Sequence, residues 1–159
     1  MKNKVFSFLD SLGISYEVTE HPAVYTMAEM GALGLENLGV IPKNLFLRDK
    51  NKQYFLVCAA EETQINLKEL GEKLLAKKLG FASTDRLQEY LGVAPGSVSP
   101  LGILNDETCA VTVVFDSRLE GLDKMGIHPN DNTATVWLSF ADLEKAILAA
   151  GNPSIVIDL

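Results

Sequence analysis

The chain has 159 residues, 47% of them apolar and 22% charged, which suits one soluble globular domain with a real hydrophobic core. Fourteen lysines and arginines against 21 aspartates and glutamates give a formal charge of −7. That argues against non-specific binding along a nucleic acid, but leaves room for a local basic patch that holds one end of one. No apolar run approaches the ~20 residues that span a bilayer. No secretory leader is recognisable, and Cys58 and Cys109 read as two buried, reduced thiols, so a cytoplasmic protein is expected.

In chain order, Val5, Phe8, Leu9 and Leu12 fall on one face of a short helix over 2–12, stopped by Gly13. Residues 14–18 alternate as a half-buried strand, which His21-Pro22 breaks. Thr26 followed by Glu29 has the capping-box pattern and opens a short helix ending near Gly31 to Gly34. The runs 43–48 and 53–59, separated by a polar turn, form a central hairpin. Asn66 caps a helix with Leu67, Leu70, Leu74 and Leu75 on one face, and Ser83 or Thr84 caps another that ends at Gly92. A strand is expected around Gly102 to Leu104 and a strongly β-branched one over 108–115. Residues 116–125 read as irregular. A strand over 133–138 follows, then a helix capped by Ser139 and an edge strand at 155–157. Hairpins mixed with crossovers predict an α+β, mixed α/β sheet protein, with no repeat and no linker dividing it: one domain over 1–159.

The chemistry is sparse. Two histidines and two cysteines without ligand spacing predict no metal site, and neither a Gly-x-Ser-x-Gly elbow nor a phosphate-binding glycine motif is present. What stands out is the segment 91–106, with three glycines and two prolines in sixteen residues. It reads as a rigid loop whose backbone a ligand can approach closely. Lys43 follows Pro42 at the head of a strand, and His128 precedes Pro129. Taken singly, Lys43 reads as a solvated lysine, His128 as a structural cap of the 129–132 turn, and the loop as an ordinary connector.

Together they resemble one family. Lys43-Asn44 heading a hairpin, the run from Leu91 to Pro100 into Leu104-Asn-Asp106, His128-Pro129 with Asn132 to Thr135, and the ending from Asn152 to Asp158 are similar, in order, to the YbaK family. It comprises the editing domain inserted in bacterial prolyl-tRNA synthetases and free-standing relatives. The resemblance implies a partly closed mixed β-sheet with surrounding helices. It also implies a hydrolase that clears mischarged tRNA, most nearly alanine from tRNA(Pro), with no cofactor. The family's Gly-x-x-x-Pro motif falls on Gly96 to Pro100. The roles implied are catalytic for Lys43, Gly96 and His128, substrate-binding for Asn44, Ser97 and Pro100, and tRNA-binding for Lys78. Lys78 and Gly80 stand where many relatives carry arginine and serine. The expected partner is the acceptor end of tRNA(Pro), with prolyl-tRNA synthetase a second; no DNA and no membrane are expected, and a monomer is the default. The competing readings are a non-catalytic tRNA- or nucleotide-binding module that associates with a synthetase, and a small-molecule esterase on the same fold.

Overall fold

The run Tyr54–Ala59 is buried at every position, so it needs cover on both faces, and the fold is arranged to supply it. The structure, a computed structural model, describes residues 2–159. Its strands are β1 (Glu17–Glu20), β2 (Lys43–Arg48), β3 (Tyr54–Ala59), β4 (Gly80–Phe81), β5 (Val111–Asp116), β6 (Met125–Ile127), β7 (Ala134–Leu138) and β8 (Ser154–Ile157). Its helices are α1 (Lys2–Ser11), α2 (Met27–Ala32), α3 (Leu67–Leu74), α4 (Thr84–Leu91) and α5 (Phe140–Ala150). Five strands form a mixed sheet in the order β4-β2-β3-β5-β8, antiparallel up to β3 and parallel beyond it. Three form an antiparallel sheet in the order β1-β7-β6.

Alternate residues of β3 serve two cores. Leu56 and Cys58 join the main core, with α1, α4, α5 and the inner residues of β5, β6 and β7; Phe55, Val57 and Ala59 pack under α3 with Leu47, Leu70 and Val114. A third cluster, of Val24, Met30, Leu35, Ile41 and Trp137, backs α2 against the smaller sheet.

The α+β class and the central hairpin are as the sequence predicts; the partly closed sheet is not. The strands divide into two open sheets because the chain leaves β5 through a 3-10 turn, Ser117–Leu119, and starts β6 in the other sheet. The two meet through the segment before β2, where Val40 bridges Met125 and Gly126 N donates to Val40 O at 2.8 Å.

Three local expectations are corrected. Residues 100–105 form a 3-10 helix rather than a strand: Ser99 Oγ accepts from Leu101 N at 3.1 Å and Pro100 takes the first helical position. Leu75 does not share the buried face of α3; it ends the helix in the left-handed region (φ 56°) and is 90% exposed. The first strand lies at Glu17–Glu20 and is mostly exposed, so its alternation reflects Ile14 and Tyr16 packing before the strand begins. Cys58 is buried, whereas Cys109 is half-buried just ahead of β5, and both are free thiols.

Candidate active site

Where β2 starts, its backbone is flanked by a cavity of about 250 Å³. Lys43 and Asn44 border it from the strand, Gly96 from the 3-10 turn Pro95–Ser97, and His128 from the residue after β6. Four residues spread over 86 positions of sequence thus meet at one opening, because the 40–42 segment ties β2 to β6. The remaining wall is largely apolar: Val24, Tyr25, Met27 and Met30 from α2 and the segment before it, and Ile41, Pro42, Val98 and Ile127. Sequence reasoning missed the α2 wall. Its only sequence signal was the capping box, and Thr26 Oγ1 does accept from Glu29 N at 3.1 Å to fix that helix.

The polar groups are placed by identifiable bonds. Lys43 Nζ donates to the backbone carbonyl of Thr63, and among the described residues it has no ion pair. Asn44 Oδ1 is buried and has no hydrogen-bond partner among the described residues. A buried acceptor left unpaired is costly, and this one belongs to a residue that borders the cavity. His128 Nδ1 lies 2.9 Å from Ala134 O. A carbonyl only accepts, so Nδ1 carries the proton and Nε2 of the neutral ring keeps a free lone pair. Burial, more than the nearby His21, holds the His128 imidazole below its ordinary pKa, against opposing effects of the Ala134 carbonyl and Asp131. The ring is therefore neutral near pH 7 and accepts hydrogen bonds better than it takes protons.

His21 stands behind His128, with ring centroids 6.1 Å apart. Its Nδ1 is 2.8 Å from Pro22 O and its Nε2 is 2.9 Å from the hydroxyl of buried Thr135. The segment carrying it is laced to the turn after His128 by His21 N to Thr133 O, Val24 N to Asn132 O and Asn132 Nδ2 to Val24 O.

Gly96 is not in the left-handed region. It is needed for closeness instead: a Cβ there would lie 2.9 Å from Tyr25 Cδ1 and 3.4 Å from both Tyr25 Cα and Val24 O. Ser97 and Pro100 are buried and do not line the cavity; Ser97 N donates to Ala94 O at 2.9 Å. Lys78 is elsewhere. It precedes β4, which pairs with β2 at Leu47 and Arg48, the opposite end of that strand from Lys43. There it borders a hollow with Arg48, Lys50 and Phe81, and an adjoining groove with Lys68 and Lys77. Asn105 and Asp106 also lie away from the cavity: Asn105 Nδ2 holds the last carbonyl of α4, and Asp106 Oδ2 accepts from Val111 N and Asn152 Nδ2.

Among the described residues no serine or cysteine lines the cavity, and the Thr26 hydroxyl there is engaged in capping α2. Burial and then Asp116 push the Cys58 thiol far up, which makes it inert. The arrangement offers one cation, acceptors at Asn44 and His128, and a close-packed glycine turn around a small apolar space. Such a site can bind, orient and polarise an ester already activated.

Comparison with known proteins agrees. Residues 21–146 match the aminoacyl-tRNA editing domain. The chain is 51% identical over 159 residues to the prolyl-tRNA editing protein ProX of Acetoanaerobium sticklandii, covering 99% of this chain and 97% of that one. It is 37% identical over 145 residues to prolyl-tRNA synthetase associated domain-containing protein 1 of Danio rerio, covering 90% and 79%. The fold is shared with the crystal structure of a candidate trans-editing enzyme for prolyl tRNA synthetase, at a TM-score of 0.76 and 21% identity over 99% of this chain and 95% of that chain. The match spans the strand that carries Lys43 and Asn44, the glycine turn and His128, and the chain is accordingly a member of the aminoacyl-tRNA editing domain family.

Proposed function

We propose that this protein is a trans-editing deacylase: a hydrolase that cleaves the ester between a mischarged amino acid and the terminal ribose of tRNA, most specifically Ala-tRNA(Pro). The observation that carries the reading is the convergence of Lys43, Asn44, Gly96 and His128 on one cavity that holds an unneutralised cation and an unpartnered acceptor. The 51% identity to a prolyl-tRNA editing protein across nearly the whole of both chains supports the substrate.

In this reading water attacks the ester carbonyl, and negative charge develops on the carbonyl oxygen. Lys43 supplies the positive charge beside the reacting group or the terminal phosphate, where a low-dielectric wall strengthens it. The backbone at Gly96 and Val98, where this turn borders the cavity, lies against the aminoacyl carbonyl and the water. Asn44 Oδ1 accepts from a donor of the substrate, its α-ammonium or a ribose hydroxyl. His128 acts as a neutral acceptor that orients the substrate, with the neighbouring ribose hydroxyl available to move the proton. The wall of Met27, Met30 and Ile41 limits the side chain admitted, and sterics exclude proline where energy differences between small apolar groups are only about 1–3 kcal/mol. Ser97 and Pro100 act by shaping the turn, and Lys78 meets the nucleic acid away from the ester. We further infer one domain over 1–159, acting as a monomer in the cytoplasm on the acceptor end of tRNA(Pro), with prolyl-tRNA synthetase as a partner.

Deacylation of Ala-tRNA(Pro), beside Pro-tRNA(Pro) and Ala-tRNA(Ala), tests the reading. Loss of alanine from tRNA(Pro) alone is the expected result. Binding of that tRNA without hydrolysis would instead make the chain a binding module, and hydrolysis of simple amino-acid esters at the same rate would make it a general esterase.

A further inference from the structure

Lys43 is aimed without being neutralised. Its ammonium meets a backbone carbonyl, that of Thr63, and, among the described residues, no carboxylate. A carboxylate nevertheless stands behind that carbonyl. Lys43 pairs with Ala59 across β2 and β3, and continuing the β3–β5 register beyond Cys58 and Phe115 sets Ala59 beside Asp116. Asp116 is 1% exposed. Its Oδ2 accepts from Thr63 Oγ1 at 2.6 Å and from Ala60 N at 3.1 Å, and its Oδ1 accepts from Arg118 N at 3.1 Å. Arg118 Nη1 donates to the same Thr63 hydroxyl at 3.3 Å. Thr63, itself 2% exposed, is therefore clamped through its side chain while its carbonyl holds the lysine.

We propose that Thr63 and Asp116 are positioning residues for Lys43: Asp116 fixes Thr63, and Thr63 fixes the ammonium. The physical reason for the relay is charge. A carboxylate in direct contact would cancel the field that Lys43 exerts on a developing oxyanion or a phosphate. A carbonyl of fixed position holds the same geometry and leaves the cation's charge available. Asp116, for its part, is compensated by two backbone N–H groups and a hydroxyl, so its charge is tolerated at 1% exposure. The loop after β3 had no motif to mark it, and only the three-dimensional row across the sheet brings Thr63 and Asp116 to the lysine.

The inference rests on Lys43 being the cation of a deacylase site, so its test has one arm with activity and one without. The variants are Thr63→Val, which keeps the carbonyl and the shape but removes the hydroxyl, Thr63→Ser, which restores it, and Asp116→Asn. With Ala-tRNA(Pro), Thr63→Val is expected to lower kcat roughly tenfold to a hundredfold through misplacement of Lys43, with KM moving far less, and Thr63→Ser to recover most of the loss. In a Lys43→Ala background Thr63→Val should cost nothing more, because both changes act through one group. An equal cost in both backgrounds would make Thr63 merely structural and overturn the proposal. The second arm is the NMR ammonium signal of Lys43, identified by its disappearance in Lys43→Ala. It should be visible in the wild type and Thr63→Ser and broadened away in Thr63→Val; an unchanged signal in Thr63→Val overturns the relay. Should Asp116→Asn fail to fold, the Thr63 pair carries the test alone. A wild type that hydrolyses no charged tRNA would remove the functional reading, while the NMR arm still decides the tether.

Discussion

Lys43 is a half-exposed residue whose loss opens no core, so its effect on function separates cleanly from its effect on folding. Lys43→Ala should lower the deacylation rate by about 100-fold or more, the usual cost of deleting one preorganised electrostatic group, with a melting temperature close to wild type. An active Lys43→Ala variant would move the chemistry elsewhere. His128 predicts a pH effect of definite sign. Burial depresses its pKa in the folded state, so between the folded and unfolded values the unfolded chain binds more protons. The neutral ring's contribution is complete above the unfolded value of about 6.5 and is lost as pH falls through the lower folded one. Urea titrations from pH 7.5 to 5 should show wild type losing more stability than His128→Gln, which lacks the titrating ring; parallel losses would mean that His128 does not titrate with folding. Sequence brought both residues into view, yet each alone has a bland reading. Their meeting at one cavity, and the orphaned oxygen of Asn44 on its border, are facts of three dimensions.

The segment from Leu91 to Asp106 shows where local pattern succeeds and where it fails. Gly92 as a left-handed helix end was legible, since α4 is amphipathic and stops at it with φ +65°. The 100–105 helix was not, because its apolar run looks like a strand; the local signal overlooked was Ser99-Pro100, a cap followed by the residue best suited to the first turn. Ser99→Ala should therefore cost about 1 kcal/mol by leaving Leu101 N without its acceptor in a buried position. Equilibrium denaturation measures it, and a change near zero would mean that Pro100 and packing suffice. Gly96 was legible as a position of close approach, but the group that approaches it is a residue of the chain itself. The turn needs room for Tyr25, not a left-handed backbone. Gly96→Ala should accordingly displace the Tyr25 segment, cost about 1–3 kcal/mol as an overpacked contact, and impair hydrolysis beyond that loss. Gly96→Asn, which would be favoured at a left-handed position, should be no better than alanine. The hairpin and the helix caps were readable because one short segment contains all their causes. Closure of the sheet was not readable, because it depends on which sheet the chain enters after β5.

At the scale of the whole molecule, a chain of formal charge −7 must take hold of a polyanion, and the distribution of its cations matters more than the sum. Lys43 and Arg48 mark the two ends of β2, five residue steps or about 17 Å apart. At the Arg48 end, Arg48, Lys50 and Lys78 line one hollow with Asp49 and the 66% exposed Phe81, and Lys68 and Lys77, with Glu72, line the groove that adjoins it. Cations beside an exposed aromatic ring suit phosphates and an unpaired base. In the proposed reading, one rigid strand joins an end that handles the ester to an end that grips nucleic acid. Lys78→Ala should raise KM for charged tRNA and reduce the slope of log affinity against log salt by about 0.7–0.9, the counterion release of one phosphate contact. Lys43→Ala should fall mainly in kcat. Measuring both variants from 50 to 200 mM salt, a range of order fourfold over which such contacts lose affinity steeply, separates the roles. If Lys78→Ala leaves affinity and slope untouched, the tRNA lies across another face and Lys43 alone meets its phosphates. If the slope falls while the ester of a tRNA-free alanyl adenosine is still cleaved normally, the two ends of β2 act independently, as a strand that fixes their separation would require.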